Sequence, residues 1–216
     1  MAPQQDQRAR VHDALIDLCF ERGFKHVELD DLLARAGLDR PVFDRHFADL
    51  EDCFFQVFKF EVDRYQREAA PDREPLTDWR GRVRASAYAL FRFLAADQRL
   101  GRFVLVESRV AGERTQVFAG QQIEALFDLI DEGRQELADP GSITRATAEA
   151  IGGGVFNQLY AVIGRGAPLP PEREIVPQLM YCIVLPYAGR DAAHEELAIP
   201  PPPSPAEPSP PLARRG

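Results

Sequence analysis

The stretch from Phe24 to Phe47, FKHVELDDLLARAGLDRPVFDRHF, carries the most distinctive chemistry of the chain. That chemistry is recognition rather than catalysis. Leu29, Leu32, Leu33 and Ala36 fall at i, i+3, i+4 and i+7, one apolar face of a 3.6-period helix. Gly37 ends that helix where a left-handed backbone costs least, and Leu38 can fold back onto it. Asp39 restarts the count as an N-cap, with Val42, Phe43 and Phe47 pointing inward. Helix, glycine turn and second helix form the geometry that lays one helix in a DNA major groove.

Other chemistries find little material. The sequence has no Gly-x-Ser-x-Gly elbow, no phosphate-binding glycine loop and no paired histidines at metal spacing. We therefore expect no catalytic residue, no cofactor and no metal. A helical enzyme assembled from distant residues remains the reading that sequence does not reach. Cys19, Cys53 and Cys182 are widely spaced and odd in number. Each falls on an apolar helical face, as a small buried hydrophobe of a reducing cytoplasm would. The amino-terminal MAPQQDQRAR lacks the apolar core of a signal peptide. The apolar run Leu179 to Leu185 is far short of the ~20 residues of a membrane span, so no membrane partner is expected.

The 216 residues are enough for one large or two small domains, and 45% hydrophobic with 28% charged residues is ordinary for a globular chain. The net charge of −8 argues against indiscriminate nucleic-acid binding. Residues 1–66 hold nine Lys/Arg against fourteen Asp/Glu. Any DNA-reading surface is thus a local basic patch on an acidic head.

The elements that would position the motif are legible around it. Val11, Leu15, Leu18 and Cys19 stripe a preceding helix that Gly23 closes. Asp49 caps a longer helix, Asp52 adds charge favourable to its amino end, and Phe54, Val57, Phe58, Val62 and Tyr65 recur along it. Three short helices and a long one resemble the tetracycline-repressor-like (TetR) transcriptional regulators. The resemblance rests on Gly23-Phe24, Leu32, Ala36-Gly37-Leu38, Phe43, and His46-Phe47 followed by Glu51. It covers about the first sixty residues well and the remainder loosely, down to Leu185-Pro186-Tyr187-Ala188-Gly189.

The resemblance implies that Asp39 to His46 is the recognition helix. Arg40 and Arg45 would reach guanine edges or phosphates, and Lys25, His26 and Arg35 the flanking phosphates, with Val42 and His46 beside them. Four positions depart from the family pattern. Asp39 replaces a common hydroxyl cap, Pro41 a glycine, Asp44 a backbone-contacting tyrosine, and Leu50 a phosphate-contacting lysine. All four weaken attraction to phosphate and none disturbs packing. Two accounts stay open: narrow operator recognition through a few arginines, or a decayed DNA surface on a ligand- or partner-binding helical dimer.

No stretch alternates with period two, so an all-α fold is expected. Amphipathic helices follow over Trp79–Leu94, Arg99–Val110, Gly112–Leu137, Ile143–Gly164 with Ser142 as N-cap, and Ile175–Tyr187. A joint falls at Pro71–Pro75. The expected division is a DNA-binding domain over 1–48, a connecting helix over 49–70, a helical ligand-binding and dimerisation domain over 71–198, and an extended or disordered proline-rich tail over 199–216. Trp79, Tyr88, Phe91, Phe103, Phe127, Phe156 and Tyr160 could wall a ligand pocket, with Arg92, Arg109, Asn157 and Gln158 orienting the ligand; ordinary core is the alternative for each aromatic. Gly152-Gly153-Gly154 calls for close approach of another helix, a bend beside the pocket, or a break.

The resemblance implies a small, mainly apolar effector and a cytoplasmic homodimer joined through its last two long helices. Its recognition helices would stand about 34–36 Å apart, or a multiple of that, over a pseudo-palindromic double-stranded DNA operator. Effector binding would shift the connecting helix and weaken DNA binding, usually as a repressor.

Overall fold

The computed structural model describes residues 2–73, 76 and 78–202. Among them there is no strand. The helices are α1 (Ala2–Arg22), α2 (Leu29–Ala36), α3 (Arg40–Phe43), α4 (Leu50–Arg73), α5 (Trp79–Ala96), α6 (Gln98–Leu105), α7 (Glu113–Asp131), α8 (Ala146–Gly164) and α9 (Glu172–Glu196). Short 3-10 turns occupy Phe24–His26, Glu107–Arg109 and Glu132–Glu136.

The head forms as its spacing predicts. Leu15, Leu18 and Cys19 of α1, Leu32 of α2, Phe43 of α3 and Phe54 of α4 are all buried together. Gly37 takes the left-handed conformation (φ 62°, ψ 45°). There its N–H reaches Ala34 O at 3.3 Å and Leu38 N–H reaches Leu33 O at 3.0 Å, closing α2. A side chain at that φ would be strained by roughly 1–2 kcal/mol.

Two local expectations change at α3. Asp39 is the N-cap residue, but its side chain makes no capping bond. Pro41 removes the second amide of the helix, and Val42 N–H is bonded to Asp39's own carbonyl at 2.9 Å. The helix itself spans only Arg40–Phe43, with a turn carrying the chain on through His46. By contrast, α4 starts as expected. Asp49 accepts Asp52 N–H at 2.7 Å, and the Asp52 carboxylate accepts Ala48 N–H at 3.1 Å, a reciprocal cap.

In the body, α4 runs through Pro71 to Arg73, into the segment expected as a joint. Ser142 is not a cap. Its hydroxyl donates back to Asp139 O at 2.7 Å, and α8 begins at Ala146 with Arg145 in the capping position. The three glycines 152–154 do not break α8. Gly152 is buried, and a Cβ there would collide with the Phe127 ring of α7. The close approach is thus from a side chain of the same chain. The last helix extends past the expected Tyr187 and kinks at Gly189, where φ is 81°. Cys19 and Cys53 are buried, and burial pushes both thiols well above their ordinary pKa. Cys182 is exposed on α9, contrary to expectation: the apolar face of that helix continues through Ile183, Val184 and Tyr187 and leaves position 182 outside. The proline-rich tail expectation beyond Pro202 lies outside the described residues.

Head and body share a core rather than meeting at a seam. Phe54 of α4 lies edge-on to Phe24 (centroids 4.7 Å apart) and stacks on Phe103 of α6 at 4.3 Å. Arg99 of α6 is ion-paired with Asp17 of α1.

Candidate functional site

The helix-turn-helix places its candidate contacts unequally. Lys25 and His26 are exposed in the 3-10 turn after α1. Arg45 is exposed just past α3 and has no ion-pair or hydrogen-bond partner among the described residues. Arg35 is engaged inside the head, its two Nη atoms donating to Glu21 at 2.9 and 2.8 Å. Arg40 donates through Nε to Asp44 at 2.8 Å, four residues along. These pairs are solvent-exposed and worth little to stability, but each cation must leave a carboxylate before meeting phosphate. Val42 is half-buried beneath the motif and cannot present its whole side chain. His46 is half-buried too; its carbonyl accepts Gln56 Nε2 at 3.2 Å, and its Nε2 is buried without a partner.

Residues that the motif alone did not flag support this surface. Arg8 of α1 lies over the Phe47 ring at 5.6 Å and donates to Gln56 at 2.8 Å. Arg10 donates to Gly37 O at 3.3 Å, bracing the turn. Their signal is absent from local spacing because the partners lie 27 and 48 residues away.

The body encloses a cavity of about 610 Å3 between α4, α5, α6, α7, α8 and α9. That volume falls in the ~300–1,000 Å3 range of small-molecule sites. Phe58, Val62, Leu90, Phe93, Leu126 and Val155 contribute to a mainly apolar wall. Its polar side chains are few: Gln66 and Gln122, bonded to each other at 2.8 Å, Ser86, Ser108, Gln116, Arg109, Tyr65 and Tyr160.

Four of the expected pocket residues line this space: Phe91, Arg109, Phe156 and Tyr160. The others do not. Trp79 is core, with its indole N–H donating to Leu129 O at 2.8 Å and its ring against Tyr187. Tyr88 is buried to 1% exposure with its hydroxyl unpartnered. Phe103 belongs to the head–body junction described above. Phe127 packs over Gly152 behind the wall. Arg92 turns away to Glu172 (3.1 Å) and to Pro202 O (2.8 Å), beside a separate hollow of about 440 Å3. Asn157 and Gln158 are exposed on the outer face of α8. Helical position could not separate these cases, because the neighbouring helix decides whether an inward ring meets another ring or empty space.

The described residues thus combine a helix-turn-helix head with an all-helical body that holds an apolar cavity. The chain has the TetR-like regulator fold. It superposes on a TetR-like regulator from Rhodococcus sp. RHA1 with a TM-score of 0.65 at 17% identity, covering 85% of this chain and 96% of that one. It superposes on FadR from Bacillus subtilis, solved in complex with stearoyl-CoA, with a TM-score of 0.67 at 16% identity, covering 84% and 98%. In sequence, it is 27% identical over 133 residues to the HTH-type transcriptional activator FasR of Mycolicibacterium smegmatis. That match spans 59% of this chain and 60% of the relative's length. No protein-family profile matches the chain. Among the described residues, no helix is long and apolar enough to cross a membrane, and no His/Cys/Asp/Glu group could hold a metal ion.

Proposed function

We propose that this protein is a ligand-responsive, DNA-binding transcriptional regulator that binds a pseudo-palindromic operator as a homodimer. The observation that carries the reading is α3 and its following turn, anchored in the head core by Phe43 and Phe47 while Arg40 and Arg45 stay exposed. Arg45 is the foremost base- or phosphate-contacting residue, and Lys25 and His26 are flanking contacts. Arg40 and Arg35 join them by exchanging carboxylate for phosphate. The exposed faces of α8 (Ala146, Ala150, Gly154) and α9 (Cys182, Leu185) form the dimer surface. Small side chains there let a partner helix approach closely.

The effector is a molecule with a long apolar body, for which the cavity wall is suited. Stearoyl-CoA, held by FadR of B. subtilis, supports an acyl chain as that body. Effector binding weakens DNA binding by favouring a state with different head separation. We take the output to be repression. Activation is the second reading, favoured by the relative's description as an activator.

The test is selection of bound duplexes from a random pool at two salt concentrations, with the oligomer state measured by sedimentation. A two-fold symmetric motif is the expected result. A dimer that retains no duplex in dilute buffer replaces this reading with that of a helical dimer whose DNA surface has decayed.

A further inference from the structure

One short turn touches both the cavity and the head. In the 3-10 turn Glu107–Arg109, Arg109 lines the cavity yet is exposed, which places it at the rim. Its guanidinium sits 4.5 Å from the centre of the Tyr160 ring. It is the one charged side chain among the described cavity-lining residues, and no carboxylate among the described residues pairs with it. Arginines elsewhere are mostly paired: Arg64 with Glu61, Arg84 with Glu196, Arg102 with Glu107 and Arg145 with three carboxylates. An apolar cavity with a single unopposed cation at its mouth is complementary to an apolar chain ending in an anion.

The other end of the turn faces the head. Glu107 is buried to 4% exposure. Its Oε2 accepts Phe24 N–H at 2.9 Å and its Oε1 accepts Arg102 Nε at 3.0 Å. Gly23 beside it takes φ 80°, a left-handed conformation that suits glycine, with the Glu107 carboxylate in ordinary contact range. Ser108 between them is buried, lines the cavity and donates to Val104 O at 2.6 Å. A few residues on, Arg114 pairs with Asp52 at 2.9 Å and lies 3.7 Å from the centre of Phe55. Asp52 is the carboxylate that caps Ala48, immediately after the recognition turn. The segment from Glu107 to Gln116 therefore grips the head at Phe24 and Asp52 while Ser108, Arg109 and Gln116 line the cavity.

We propose that Arg109 holds the anionic group of an acyl effector, carboxylate or phosphate, and that Glu107 carries the resulting movement of the turn to the head through the Phe24 amide. This rests on the reading of the body as an effector domain. Glu107 follows Arg109 because they share one turn, closed by Val110 N–H to Glu107 O at 3.1 Å. The head follows Glu107 because parting would leave the buried Phe24 amide and one oxygen of the buried carboxylate without a partner. Phe24 then passes the displacement to Phe54 of α4.

The experiment measures binding of palmitate, palmitoyl-CoA and neutral palmityl alcohol by calorimetry. It also follows amide exchange in peptides spanning residues 20–30, with no DNA present. The wild-type protein should bind the acid, the thioester, or both more tightly than the alcohol, and whichever binds should alter exchange in the head. The acid-only and thioester-only outcomes identify carboxylate and phosphate, respectively. Arg109→Gln should lose roughly ten- to hundredfold in affinity for the anionic probe and little for the alcohol. Glu107→Gln and Glu107→Ala should bind the anionic probe as wild type, with the exchange response reduced in the first and absent in the second. Equal binding of alcohol and anions, or an unaffected Arg109→Gln, overturns the anchor. An undiminished exchange response in a folded Glu107 variant overturns the relay. A failure of operator selection leaves these readouts intact, so the two readings fall separately.

Discussion

The head and the body use similar apolar residues to opposite ends. In the head, short helices meet at a glycine turn and fill their common space: Leu15, Leu32, Phe43 and Phe54 have no exposure at all. In the body, longer helices stand around about 610 Å3 that no side chain occupies, and Leu90, Phe156 and Leu126 border it half-buried. A filled core fixes one surface, whereas an open one leaves room for a small molecule. Both parts hold paired and unopposed arginines: the head neutralises Arg35 and Arg40 with its own carboxylates but not Arg45, and the body pairs Arg84 and Arg145 but leaves Arg109 unopposed at the cavity rim.

Paired truncations give the largest expected effect. Phe43→Ala should destabilise the protein by about 3–5 kcal/mol, whereas Leu90→Ala at the cavity wall should cost about 1–2 kcal/mol. Denaturant unfolding measures both, and equal costs would break the contrast between filled and open cores. Next comes the DNA surface. Arg45→Ala should lower operator affinity by ~1–3 kcal/mol at fixed salt if it reads a base. Asp44→Asn, which releases Arg40, should strengthen non-specific duplex binding and steepen its salt dependence, by up to about one unit of slope. An unchanged slope would mean that Arg40 does not reach phosphate.

The smallest effect concerns the hold between α1 and α4. His12 Nε2 lies 2.6 Å from Glu61, which Arg64 also binds, with Asp13 on the other side of the imidazole. Burial disfavours charge on His12, but hydrogen bonds to Glu61 and Asp13 override it and raise its pKa above 6.5. Burial likewise opposes charge on Glu61, and its bonds to His12 and Arg64 override that, so its pKa falls below 4.5. The His12 contribution is complete below 6.5 and fades as pH rises through the folded value. The Glu61 contribution is complete above 4.5 and fades as pH falls through its folded value. Thermal unfolding should thus show both contributions between about pH 4.5 and 6.5. Glu61→Gln should flatten the loss between pH 6 and pH 8; an unaltered loss would remove this pair as its source.

Features that depend on neighbours within one or two turns were legible in the residue order. The 3.6 period of Leu29, Leu32, Leu33 and Ala36, the left-handed Gly37, and the Asp49–Asp52 cap all formed as their chemistry dictates. The pairing of Arg40 with Asp44 was within the same reach, four residues apart between the first residue of α3 and its C-cap. Tertiary structure alone decided which inward aromatic meets a void and which meets another ring. It put Phe156 and Tyr160 at the cavity but Trp79, Tyr88 and Phe103 in solid core. It alone brought Glu107 to Phe24 across 83 residues of chain. Helical periodicity sets the direction of a side chain, whereas the spacing and tilt of the facing helices set what lies there.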